Sequence, residues 1–143
     1  MYDDILFPTD GSEGADAALT HAMELADTYD ATVHVLSVVD SSYLGSSAAE
    51  ATTFEALREA GERAVEETAD RVTDRGIETA TAVEEGRPYA TILDYADAEE
   101  IDVIVMGTHG RRGLDRFLLG SVTEKVVRAA DVPVVTVRLD GSD

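Results

Sequence analysis

The sequence predicts an α/β protein, a parallel sheet covered by helices on both faces. Three observations predict it. Short runs rich in Val, Ile and Leu recur along the chain, most of them without the alternating polar face of a half-solvated strand. Segments with apolar residues at helical spacing lie between them, so the order reads β-α-β-α-β-α-β-α-β. No smaller repeat and no linker interrupts the alternation, and one domain over residues 1–143 is expected.

The elements follow in order. "DDILFPTD" is the first strand, ending at Pro8-Thr9-Asp10, and Ala18, Ala22, Leu25 and Tyr29 mark one face of the helix after it. "ATVHVLSVVD" is the second strand. Phe54, Leu57, Gly61, Ala64, Thr68 and Val72 line the long second helix, in which Gly61 is a local weakness because glycine costs about 1 kcal/mol in a helix interior. "IETATAVEEG" is a weaker, alternating strand. Pro88 can open the third helix at its first position, ahead of Tyr89, Ile92, Leu93 and Ala96. "IDVIVMG" is a buried strand ending at Met106, Val122, Val126 and Ala129 define the fourth helix, and "VPVVTVRL" closes the chain's pattern.

Composition excludes several classes. Hydrophobic residues make up 44%, so the acidity is not a mark of disorder, and without cysteine there is no disulfide framework or thiol chemistry. "MYDDILFPTD" lacks the basic start and apolar core of a signal peptide, and no apolar run reaches the roughly 20 residues of a membrane span. A cytoplasmic protein is expected. Asp and Glu number 30 against 11 Lys and Arg, a formal net charge of −19, which repels nucleic acid and anionic membranes. Such a surface suits a high-salt cytoplasm, where self-repulsion is screened over about 3 Å at 1 M salt.

Ligands of doubly wound sheets bind beyond the carboxyl ends of the strands, where strand order reverses. The segments at that edge are "PTDGS", "VVDSS", "EEGRP" and "GTHGRRG", and residues 40–50, rich in Ser, Ala and Gly, are expected to form a mobile loop beside them. Residues 107–121, "GTHGRRGLDRFLLGS", gather four glycines and three arginines in an otherwise acidic chain. Glycine lets main-chain N–H groups approach an anion, a helix N-terminus adds partial positive charge, and Arg111, Arg112 and Arg116 add forked donors suited to phosphate. Each part also has an ordinary structural reading. "SVTE", Ser121 to Glu124, is a capping box able to start a helix without any ligand, and the arginines can simply balance carboxylates. Together, at this place in the topology, the parts point to a phosphate site. It is neither a GxxxxGK[ST] phosphate loop nor a GxGxxG fingerprint, and no GxSxG elbow makes Ser121 a nucleophile.

Gly107-Thr108-His109-Gly110, nine residues, then Gly120-Ser121 resembles the G-x2-G-x9-G-[ST] signature of the ATP-binding branch of the universal stress protein family. "ILFPTDGSEGADAAL", "VHVLSVVD" and "DVIVMGTHGRRGLDRFLLGSVTEKVVRAADVPVVTV" extend the likeness across essentially the whole chain. The resemblance implies five parallel strands in the order 3-2-1-4-5, a Rossmann-like fold and a dimer; as the last strand of that order, residues 132–139 lie at an edge, and the dimer is expected to join along them. The resemblance also implies ATP, with AMP or ADP as alternatives, carrying Mg2+ or Mn2+. Pro8, Thr9 and Asp10 would border adenine and ribose, main-chain groups of Val38 would read the adenine edge, and Met106 would pack nearby. Gly107, Thr108, His109, Gly110 and the residues through Gly113 would surround ribose and phosphates. Gly120, Ser121, Val122 and Thr123 would present the helix N-terminus. Arg111 and Arg112 as phosphate ligands rest on the charge argument instead, because 111–113 vary in the family. Asp10 can hold the nucleotide's metal indirectly or, with Ser12, cap the first helix.

The histidines do not make a metal site. His34 is expected on a strand face under a helix, His21 on the first helix and His109 in the glycine-rich loop. Two functional classes remain: a nucleotide-dependent regulatory module, and a slow ATPase or phosphotransferase. "GTHGRRG" contains no carboxylate to activate water, although Asp10 or His109 can be proposed as a base, so the binding module is the preferred reading.

Overall fold

The computed structural model describes residues 2–10, 13–41, 48–108 and 120–138. Nine elements alternate as the sequence predicts: β1 (Asp4–Pro8), α1 (Glu13–Tyr29), β2 (Thr32–Asp40), α2 (Ala48–Asp74), β3 (Thr79–Gly86), α3 (Pro88–Ala98), β4 (Val103–Gly107), α4 (Ser121–Ala129) and β5 (Val134–Val137). The five strands form one parallel sheet in the order β3-β2-β1-β4-β5. The fold class and strand order are therefore those expected.

The continuous apolar runs exist because the sheet is covered twice. Ile5 and Phe7 of β1, Val33 and Val35 of β2, and Val103 and Val105 of β4 face one core with α1 and α2. The intervening Leu6, Leu36, Ile104 and Met106 face a second core with α3 and α4. With side chains alternating across a strand, a sheet buried on both sides needs an apolar residue at every position.

Some helix details differ from expectation. On α1, Ala18 and Ala22 are buried as expected and half-buried Leu25 packs against the same core, but the face also takes in Ala15, Leu19, Met23 and Ala26, while Tyr29 stays exposed beside Tyr2. The covered face is broader than the expected stripe, and its small alanines allow the helix close approach to the sheet. On α4, Thr123 and Val126 are buried while Ala129 is exposed. α2 begins at Ala48, inside the segment expected to be loop, and residues 42–47 lie outside the described ones. Gly61 is more than a weakness: a Cβ there would stand 2.8 Å from Ser37 Oγ, so glycine lets α2 close onto β2.

Helix α3 ends in a Schellman turn. The Ile101 N–H donates to the Ala96 carbonyl at 2.9 Å, which requires Glu100 to be left-handed at φ 54°. The equivalent turn after α2 uses Gly76 at φ 79°, where no side chain resists the conformation. A left-handed non-glycine residue costs about 1–2 kcal/mol, against about 0.5–1 kcal/mol for glycine's extra freedom in the unfolded chain. Glu100→Gly is expected to stabilise the fold by roughly 0.5–1 kcal/mol. An increased guanidinium midpoint at unchanged slope is the confirming measurement.

One buried polar network crosses the second core. The Asp4 carboxylate, an acceptor only, receives the His34 Nε2–H at 2.9 Å. In the neutral ring this leaves Nδ1 to accept the Tyr95 hydroxyl, also at 2.9 Å. His34 thus lies on a strand face under α3, as expected, and Tyr95 is the partner that sequence spacing had not singled out. Burial, followed by the charges of Glu99, Glu84 and Asp4, raises the Tyr95 pKa above its ordinary value of 10.0. A raised pKa favours the protonated phenol in the fold, so its stabilisation is complete below pH 10 and is lost as pH climbs through the folded value. Tyr95→Phe is expected to cost about 1–3 kcal/mol at pH 7, because buried Nδ1 loses its donor. Denaturant melts at rising pH should show the gap between wild type and variant narrowing above about pH 10. A gap constant with pH would refute the assignment.

Candidate functional site

The site is built where strand pairing stops. β1 pairs with β2 as far as Pro8–Leu36, and β4 pairs with β5 as far as Gly107–Val137. Between β1 and β4 the paired positions are only Ile5–Val103 and Leu6–Ile104. The order 3-2-1-4-5 reverses direction at this junction and the pairing stops at Leu6 and Ile104; in sheets of this kind that junction is the ligand crevice.

One wall comes from β1 and β2. The Thr9 N–H donates to the Leu36 carbonyl at 2.8 Å, which buries Thr9 and carries the chain out to an exposed Asp10. That bond also orients β2. Backbone groups two residues apart on a strand point the same way, so the N–H and C=O of Val38 face the side of β2 that β1 has just vacated. Half-buried Val38 thus offers a donor and an acceptor to the crevice, as the expected reading of an adenine edge requires.

The other wall joins β4 to α4. Met106 is buried in the second core. The Thr108 N–H donates to the Val137 carbonyl at 2.9 Å, and the Thr108 carbonyl accepts the Gly120 N–H at 2.6 Å. Thr123, also buried, donates its hydroxyl to the Gly107 carbonyl at 2.9 Å. These bonds bring Gly107-Thr108 against Gly120–Thr123 although eleven residues separate them in sequence, 109–119, which lie outside the described residues. His109, Gly110, Arg111, Arg112 and Gly113, together with Arg116, fall in that segment; Gly11 and Ser12 also lie outside the described residues.

The expected capping box does not form. Gly120, not Ser121, is the N-cap, and among the described residues no side chain caps the helix. Ser121 is the first helical residue and is exposed, Val122 is half-buried, and the Thr123 hydroxyl is committed to β4. Among the described residues the first turn of α4 therefore directs its partial positive charge and its outward N–H groups toward the crevice. Gly120 has φ −63° and ψ 159°, a conformation open to any residue, so what glycine supplies here is the lack of a side chain. Among the described residues no group of three His, Asp or Glu could hold a metal ion, and no helix is long and apolar enough to cross a membrane.

A doubly wound, Rossmann-like α/β sheet with a helix N-terminus at its switch point defines the class of this protein. The chain belongs to the universal stress protein family, whose family model matches residues 1–138. The universal stress protein MJ0531 of Methanocaldococcus jannaschii is 38% identical over 141 residues, covering 96% of this chain and 83% of that protein. The solved structure of MJ0577 from the same organism superposes with a TM-score of 0.88 at 33% identity, over 99% of each chain. A family protein from Arabidopsis thaliana, solved with AMP bound, shares the fold at 17% identity and a TM-score of 0.72, over 97% of this chain and 93% of that one.

Proposed function

We propose that the protein is a nucleotide-dependent regulatory module that binds ATP, or AMP or ADP, in the crevice between β1 and β4. One observation carries the reading: Gly107-Thr108 and Gly120–Thr123 are pinned together so that the N-terminus of α4, with a glycine as its N-cap, faces the switch point. Phosphates would lie against the first turn of α4, with glycines 110 and 113 and the guanidinium groups of Arg111 and Arg112 around them. Adenine would lie against Val38 and Met106, and Pro8, Thr9 and Asp10 would border the ribose. The nucleotide would bring its own Mg2+ or Mn2+, with Asp10 as an indirect partner. The AMP complex of the Arabidopsis relative supports the general idea, since it holds an adenine nucleotide on this fold.

Denaturing the purified protein and identifying the released small molecule by mass tests the proposal, followed by calorimetry with ATP, ADP and AMP in molar KCl. Absence of any adenine nucleotide, together with no measurable affinity for the three, would reject it. Turnover far below a typical enzyme rate of about 10 s⁻¹ is expected, because the reading gives the site the task of holding the nucleotide.

The same reading includes a homodimer joined along residues 132–139. β5 is an edge strand with Val134 and Val135 half-buried and Thr136 exposed, and an exposed apolar edge is normally paired or covered. Pro133 removes one N–H before the strand without blocking its ladder. Light scattering in high salt should give twice the chain mass of 15.3 kDa, and a monomer at all practical concentrations would remove the dimer.

A further inference from the structure

At the opposite end of the sheet, where β4 and β5 begin and α3 and α4 end, lies an open groove of about 230 Å³. Its floor is apolar, with Ala96, Ile101 and Ile104 all buried, and its rim carries Asp97, Glu100 and Asp131. None of the three carboxylates has a side-chain partner among the described residues. Two further features concentrate negative potential there. The C-terminal ends of α3 and α4 direct partial negative charge to this side; α3 has no basic residue in its last turn, and the one in α4, Arg128, pairs with Glu124. Glu100 is held left-handed, so one of these carboxylates sits at the rim at a conformational cost.

We propose that this groove is a docking site for a partner protein segment that presents lysine or arginine beside an aliphatic side chain. The alkyl stem of such a residue covers an apolar floor while its charged head reaches an acidic rim. The volume favours side chains over a free small molecule, since pockets for drug-sized ligands run to roughly 300–1,000 Å³. The lining contains no lysine or arginine, so the same groove on a second copy offers this one no complementary charge, and the partner is a basic segment of another protein. A cation seated here relieves the carboxylates that the helix ends disfavour, and such complementarity sets both specificity and rate of encounter.

The test uses the whole chain and a fluorescein-labelled hexapeptide of alternating lysine and leucine, read by anisotropy at fixed KCl and by methyl NMR. Binding should shift the methyl signals of Ile101 and Ile104. The triple variant Asp97→Asn, Glu100→Gln, Asp131→Asn should weaken it at least tenfold, while neutralising exposed Glu59, Glu66 and Glu67 on α2 should change it less than twofold. Lysine–serine and glutamate–leucine hexapeptides should bind at least tenfold more weakly. Equal losses in the two triple variants would show that general acidity is responsible and overturn the proposal. Undiminished binding of the lysine–serine peptide, or methyl shifts confined to other regions, would overturn it too. So would blockage of the groove by self-association of the chain. No nucleotide enters the experiment, so its outcome is independent of the proposed nucleotide site.

Discussion

Gly120→Val is expected to abolish nucleotide binding, lowering affinity at least 100-fold while the fold survives. The backbone at 120 lies in the extended region at φ −63° and ψ 159°, which valine adopts without strain, and its N–H bond to Thr108 does not involve the side chain. The loss of stability should stay near 1 kcal/mol, the range for a poor N-cap residue. Two extra methyl groups at the mouth of α4 would instead occupy the space through which phosphate oxygens reach the first-turn N–H groups. A hundredfold loss corresponds to about 2.7 kcal/mol, within what two or three charge-assisted hydrogen bonds contribute. Calorimetry on wild type and variant in molar KCl decides it. Unchanged affinity in a folded Gly120→Val protein would place the nucleotide elsewhere. Ser121→Ala is a milder companion: Ser121 is not the cap, so a loss of affinity there without a loss of stability would mark direct contact with the ligand.

A fold that weakens in dilute salt and is partly rescued by Mg-ATP is the second large effect. The ion pairs of Arg58 with Glu62 and Glu85, Arg71 with Asp16, Arg75 with Asp27 and Arg128 with Glu124 all lie at the surface. Exposed pairs of this kind contribute about 0–1 kcal/mol each, too little to offset thirty acidic side chains. As salt falls from 1 M to 0.1 M the screening length grows from about 3 Å to about 10 Å, and the repulsion spreads across neighbouring carboxylates. We propose on this ground that the surface is adapted to a high-salt cytoplasm. A ligand that binds only the folded state adds about 2.7 kcal/mol at 100 times its dissociation constant. Thermal melts over a KCl series, with and without Mg-ATP, separate the two claims. A melting temperature indifferent to KCl would end the halophilic reading. Salt sensitivity without rescue by saturating ATP, unaltered by Arg111→Glu and Arg112→Glu, would end the phosphate-loop reading.

Much of this was legible in the sequence because it depends on local order. A strand buried on both faces must be apolar throughout, so "DVIVM" and "TVHVLSVV" announced a doubly covered parallel sheet before any coordinates. The glycine spacing from Gly107 to Gly120 was equally legible, since close approach of backbone to a ligand excludes side chains at particular positions. Less legible were choices among equivalent local options. On α1 both Ala18-Ala22-Leu25-Tyr29 and Ala15-Leu19-Met23-Ala26 have helical spacing, and only contact with the sheet decides that the buried face takes in Ala18 and Ala22 together with the second set while Tyr29 stays exposed. "SVTE" satisfied the local rule for a capping box, yet Gly120 takes the N-cap because its N–H is held by the Thr108 carbonyl and Thr123 is drawn to Gly107. His34 could be placed on a covered face, but its partners Asp4 and Tyr95 are 30 and 61 residues away, beyond any periodicity.

By itself, then, the sequence determined which segments become strands and helices, the family to which they belong and where charge and glycine accumulate, because these follow from side-chain type and spacing within a few turns of chain. Tertiary structure alone decided how far β1 and β4 remain paired, that Val38 turns its backbone to the vacated side of β2, and that Gly120 rather than Ser121 is the N-cap of α4. It also decided that the ends of α3 and α4 enclose an acid-rimmed groove. Each of these depends on groups brought together across the sheet, where one hydrogen bond or one close contact outweighs the small local preferences that the sequence alone expresses.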